Sequence, residues 1–139
     1  MTYTELIIEA ITELTGSKPI KTNVNKEQKT ITFTIKPNDK DISVALIVFT
    51  SHQKVIIQFF TSLPLVHPEP NFDHYKALAL FSSKLLMGNL SFTKNGNEIL
   101  ISYRSTYVSS ITDFHATTFK EYLDFSIDMV GISEISLSQ

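Results

Sequence analysis

The chain has 139 residues, a formal net charge of −2 and no cysteine. Its length suits one domain whose core needs neither metal nor disulfide, and a hydrophobic fraction of 42% argues against disorder. Disulfides, thiolate catalysis and zinc–thiolate sites are excluded, and the 12 Lys and Arg are too scattered for a nucleic-acid footprint.

The first element is a helix over Thr2 to Thr15. Tyr3, Leu6, Ile7, Ala10, Ile11 and Leu14 recur at three- and four-residue steps and share one face. Thr2 and Glu5 have capping-box spacing, Gly16 stops the helix and Pro19 prevents a restart. Glu5, Glu9 and Glu13 make an acidic ridge off the core stripe, best read as a solvated face. Ile20 to Lys29 is polar, a loop or a ragged edge strand, and its lysines read as loop solubility.

Strict alternation follows: Ile31, Phe33 and Ile35 face one way, Thr30, Thr32 and Thr34 the other. Pro37-Asn38-Asp39-Lys40 makes a turn. The next two strands, Ile42 to Thr50 and Val55 to Ser62, are apolar in both phases. A two-sided strand is either central or covered on both faces. Leu63 to Asn71 contains Pro64, Pro68 and Pro70 and reads as a stiff, extended connection.

A helix is expected from Phe72 to Met87, ended by Gly88. Tyr75, Leu78, Ala79, Ser82, Leu85 and Leu86 form its core stripe, and Ala77, Leu80 and Phe81 a second one. A helix covered on one side only has no use for that second stripe. Asn95-Gly96 between alternating runs predicts a type I′ hairpin. The last helix is expected from Ile111 or Asp113 to Val130, with Ser110 and Asp113 at capping-box spacing and Gly131 as its stop. Ile132 to Gln139 reads as a tail with room for a short strand. Neither a repeat nor a linker divides residues 1–139.

The apolar excess asks for shelter around Ile56 and Phe60 and on the middle helix. A large exposed apolar patch marks an interface; the alternative is that the last helix or the tail wraps over it. Arg104 is the only arginine and can anchor a carboxylate through two parallel hydrogen bonds.

Candidate chemistry is thin. His67 and His74 flank Glu69 and Asp73, but their spacing matches no helical His-x-x-x-His pair. His115 has no nucleophile near it in sequence, and Ser82-Ser83, Ser105 and Ser109-Ser110 lack a G-x-S-x-G setting. No metal ligand set, catalytic residue or cofactor is assigned. The Met-Thr-Tyr-Thr-Glu start has no basic region followed by an apolar one, so no signal peptide is read and a cytoplasmic setting is expected. The longest apolar run, Val44 to Phe49, is too short for membrane insertion.

Tyr75 to Tyr103 resembles the YbjN family within the type III secretion chaperone-like superfamily. The likeness is carried by an apolar helix running into Leu86-Met87-Gly88-Asn89-Leu90-Ser91-Phe92, the Asn95-Gly96 turn, and Glu98-Ile99-Leu100-Ile101-Ser102-Tyr103. A polar connection and a long amphipathic helix follow, as in that family. The resemblance implies an α+β fold of order α-β-β-β-α-β-β-α, with an antiparallel sheet packed against helices. It also implies a bacterial cytoplasmic homodimer, made in the secretion chaperones largely through the middle helix. Those chaperones hold an extended segment on apolar sheet and helix surfaces; they are usually strongly acidic, and this chain at −2 is not.

The expectation is therefore a non-enzymatic, chaperone-like homodimer. Ile56, Phe60 and Arg104 would meet a peptide or protein partner, and Ala77, Leu80, Phe81 and Lys84 would form the dimer interface. The alternatives are a small metal-assisted hydrolase using His67, His74 and Asp73, and a small-molecule sensor with a pocket between the sheet and the final helix.

Overall fold

A computed structural model describes residues 1–138; Gln139, the last residue of the expected tail, lies outside them. The chain opens with helix α1 (Tyr3–Thr15). Strands β1 (Ile20–Asn23), β2 (Gln28–Ile35), β3 (Ile42–Ser51) and β4 (Lys54–His67) follow, then α2 (Phe72–Ser82), the hairpin β5 (Asn89–Asn95) and β6 (Glu98–Ser110), and α3 (Ala116–Leu137). The class is α+β. The strands form one antiparallel sheet in the order β1-β2-β3-β4-β6-β5. The order matches expectation once the ragged Ile20 segment is counted as an edge strand.

Register explains why β3 and β4 are apolar twice over. Leu46 lies between Ile31 and Phe59, and Val44 between Phe33 and Thr61. These residues, with Val48, Val55, Ile57 and Tyr103, are essentially sealed from water. The apolar stripe of α1, centred on Ile7, Ala10 and Ile11, closes over them together with Phe119, Leu123 and Val130 of α3. Strand residues alternate between faces, so Leu90 and Phe92 share the face of their partners Tyr103 and Ile101. The short helix α2 packs against β5 on that same side. The three helices thus all cover one face of the sheet.

Several boundaries differ from the sequence expectation. β4 continues through Pro64 to His67, because a register irregularity between Ser62 and Val66 absorbs the proline. α2 ends at Ser82, five residues before Met87; the Ser82 hydroxyl turns back to accept the Leu90 N–H at 2.9 Å, committing the chain to β5. Only Leu78 of α2 is fully buried, with Phe81 and Leu85 half-buried beside it. Tyr75 and Leu86, placed on the core stripe by spacing, are 54% and 82% exposed. The inner stripe is Leu78, Phe81, Ser82 and Leu85.

β6 runs on to Ser110, and α3 begins at Ala116 with His115 at its N-cap and no side-chain cap, so Ser110 and Asp113 do not form the expected capping box. Nor does Gly131 stop α3. It is buried in the middle of the helix, where Pro37 packs so closely that an added Cβ would sit 3.3 Å from the ring. Ile132 to Leu137 of the expected tail form the end of this helix. In the β5–β6 hairpin Asn95 pairs with Glu98, so the loop is Gly96-Asn97 and only Gly96 has positive φ, at 63°. That is the geometry of glycine at the first central position, not the type I′ turn expected of Asn95-Gly96. The β3–β4 hairpin has two left-handed residues, His52 (φ 51°) and Gln53 (φ 65°), as does the β2–β3 connection at Asn38 (φ 57°) and Asp39 (φ 63°).

Candidate partner-binding face

Among the described residues, no helix covers the second phase of β3 and β4. Three cross-strand rows cross this face. Phe49, Ile56 and Val108 form one, Ala45, Phe60 and Arg104 another, and Ile47, Gln58 and Thr106 lie between them. Ile47, Phe49, Ile56 and Phe60 are half-buried by their neighbours alone, and Val108 is 56% exposed. Thr30, Thr32 and Thr34 of β2 border the apolar rows on one side. On the other, a hydroxyl ladder joins Ser62, Ser102 and Thr93, with O···O distances of 3.2 and 2.6 Å. Between Ile47, Phe49, Gln58 and the Asn25–Gln28 turn lies a shallow depression of about 430 Å³.

Ile56, Phe60 and Arg104, chosen from sequence as partner-binding residues, therefore meet on one surface. The Arg104 guanidinium lies over the Phe60 ring, 5.4 Å from its centroid. Stacking of this kind holds the planar fork in place without consuming its donors. Arg104 is exposed and makes no ion pair among the described residues.

Of the proposed dimer residues, Ala77, Leu80 and Phe81 sit on α2 and Lys84 lies in the turn after it. Ala77, Leu80 and Lys84 are exposed, Leu80 at 56%, while Phe81 turns inward against the core. Phe72, Tyr75 and Leu86 add further exposed apolar surface to this helix and the turn after it.

The histidines at 67 and 74 are brought together, their rings edge to face at 4.6 Å. Phe92 packs against His67, and Tyr75 against Phe92. The Nδ1 atoms of both histidines are already engaged. That of His74 accepts the Asn71 N–H at 3.1 Å, completing a capping box, and that of His67 faces the Pro68 carbonyl at 2.5 Å. No group of three His, Asp or Glu among the described residues is placed to hold a metal. His115 is exposed, 3.2 Å from the Asp113 carboxylate.

Two polar clusters were not visible in the sequence. Ser105, Tyr122 and Ser126 form a buried hydroxyl group in which Ser105 Oγ lies 2.8 Å from the Tyr122 hydroxyl and 3.0 Å from Ser126 Oγ. Burial pushes the Tyr122 phenol up to about 12, so it stays neutral. The second cluster centres on Glu134 of α3, whose side chain is 1% exposed. Lys40 donates to Glu134 Oε1, and Asn38 Nδ2 donates to Oε2 at 3.2 Å and to the Gly131 carbonyl at 3.0 Å. The Pro37–Lys40 turn is a thin cover over this carboxylate, since the Lys40 side chain is itself 53% exposed. The Lys40 hydrogen bond holds Glu134 below the usual carboxylate range against the opposing effect of burial. An i, i+4 spacing search on α3 alone could not find partners 94 and 96 residues away.

No helix among the described residues is long and apolar enough to cross a membrane. No protein-family model matches the chain, and no curated protein is significantly similar to it. Among solved structures, the chain is similar to the crystal structure of YbjN from E. coli, a proposed transcription regulator. The TM-score is 0.49 and the identity 8%, over 96% of this chain and 93% of that one.

Proposed function

We propose that this chain is a non-enzymatic binding module that holds an extended peptide or protein segment on the open face of its sheet. The observation that supports this most is the face itself: apolar side chains in the second phase of β3 and β4, uncovered among the described residues, beside a stacked Arg104 that makes no ion pair among them. The surface matches apolar side chains on the partner, with a carboxylate placed to meet the guanidinium. The reading includes a cytoplasmic, chaperone-like homodimer joined through the outer side of α2 at Ala77 and Leu80 and the turn after it at Lys84, with Phe81 packed beneath them.

Selection of displayed peptides on the intact chain tests the binding role, with Phe60→Asp and Arg104→Glu as counter-selections. Arg104 is exposed, so Arg104→Glu should melt near the parent temperature; Phe60 is half-buried on an interior strand, so Phe60→Asp should melt lower and is scored at a temperature where circular dichroism shows it folded. The expected outcome is a set of apolar, acidic peptides that bind the parent and lose at least about tenfold affinity with either variant. Peptides that bind all three proteins equally would remove the sheet face from the reading. Light scattering over a dilution series tests the dimer: Leu80→Asp should yield monomer, and a parent that is monomeric throughout would refute that part alone.

A further inference from the structure

We propose a second, separate ligand site: the cleft between the end of α1, the free edge of β2 and Ile127 of α3 binds an amphiphilic carboxylate of the fatty-acid class. The cleft has a volume of about 510 Å³, within the range of small-molecule sites. Its apolar wall is made by Leu14, Ile20, Phe33, Ile35 and Ile127. The cleft exists because β1 is short. Pairing of β1 with β2 ends at Ile20 and Thr32, so from Phe33 to Ile35 the main chain has β3 on one side and no partner on the other. Edge N–H groups there are available to an anion.

Charge selects the ligand. Lys18 and Lys36 are the only ionisable side chains lining the cleft, so its polar rim carries positive charge and no acid. Lys18 makes no ion pair among the described residues, and Lys36 has only Asp41 at 3.7 Å, a pair mostly in water and therefore readily replaced. The carbonyl end of α1 opposes an anion with a partial charge only, which two full lysine charges outweigh. A tail also has somewhere to go. A second cleft of about 450 Å³ shares Pro37 and Ile127 with the first and is continued by Ile132 and Ile135, which are 51% and 46% exposed.

The test is calorimetric titration of the intact chain with dodecanoate below its micelle concentration, beside dodecanol and dodecyltrimethylammonium. Saturable binding of one dodecanoate per chain is expected. The double variant Lys18→Glu/Lys36→Glu should weaken it at least about tenfold and leave dodecanol unchanged. Ile20→Asp, at a position 70% exposed and safe for folding, should weaken both ligands. Absence of saturable dodecanoate binding, or equal binding of the cationic amphiphile, overturns the proposal. So does a loss caused by Phe60→Asp in place of the lysine variant, which would put the ligand on the sheet face.

Discussion

Replacing Gly88 by alanine should be among the most damaging single-methyl changes in this protein. Gly88 links the turn after α2 to β5 with φ at +80°, a backbone conformation that costs an L-residue about 1–2 kcal/mol. An added Cβ would lie 2.5 Å from the Tyr103 hydroxyl oxygen and 2.7 Å from the Arg104 carbonyl oxygen. The first is a fully buried side chain whose hydroxyl donates to the Met87 carbonyl at 2.9 Å; the second is main chain of β6, paired on both sides by β4 and β5. Neither can yield cheaply, and overpacking of this kind costs about 1–3 kcal/mol. The reduced freedom of the unfolded alanine chain returns about 0.4–1 kcal/mol. The net expectation is a loss of about 2–4 kcal/mol, read as a lower urea midpoint at unchanged m-value. Gly96→Ala is the control: its φ is +63° and nothing lies within 4 Å of the added Cβ. It should cost only the conformational part, about 1 kcal/mol. Equal losses for the two variants would refute the close packing of Tyr103 against this turn.

The β3–β4 hairpin should respond in the opposite sense. His52 and Gln53 both occupy the left-handed region without being glycine, so His52→Asn/Gln53→Gly should raise stability by about 1 kcal/mol in urea unfolding; a decrease would contradict the turn described. Acid should act through Glu134. Its folded pKa is depressed, so its contribution is fully present above the ordinary value of 4.5 and is lost as pH falls through the lower folded value. The melting temperature of Glu134→Gln should lie below the parent's at neutral pH, and the gap should narrow below pH 4.5. A gap that stays constant down to about pH 3 would show that the carboxylate charge is not what Lys40 and Asn38 hold.

What was legible in the sequence was what short-range periodicity encodes. The α1 stripe, its Thr2 cap accepting from the Glu5 N–H and its left-handed Gly16 stop were all readable locally. So were the one-sided β2 and the two-sided β3 and β4. Elements set by distant contacts were not. Pro64 looked like a strand terminator, yet a bulge carries it inside β4. Gly131 looked like a helix stop because the packing of Pro37, 94 residues earlier in sequence, is invisible to spacing rules. α2 was overextended since Leu85, Leu86 and Met87 continue the helical period after Ser82 has already turned toward Leu90. For the candidate site, Ile56 and Phe60 were accessible from the second apolar phase. That Arg104 stacks on Phe60 required the β4–β6 register, which places residues 44 apart in sequence side by side.

The two faces of this sheet can be weighed against each other. On the helix-covered face, a fully buried Ile, Leu or Phe contributes about 1.5–3 kcal/mol through burial. On the open face Ile47, Phe49, Ile56 and Phe60 keep no more than about a third of that in reserve, up to about 0.5–1 kcal/mol each, and Val108, 56% exposed, about 1 kcal/mol. The five together would return at most about 3–5 kcal/mol to an ideal partner. Association costs at least about 4 kcal/mol in lost freedom before any side chain is ordered. Apolar contact alone therefore leaves a complex that is weak and short-lived. A charge-assisted hydrogen bond to Arg104, about 1.5–3 kcal/mol, exceeds any surplus that apolar contact leaves. On the proposed binding role, the single arginine would decide which partners stay bound, and the apolar rows would decide only that the face is worth covering. The same arithmetic separates stability from recognition: reversing the charge at Arg104 should leave folding nearly untouched and abolish most of the discrimination.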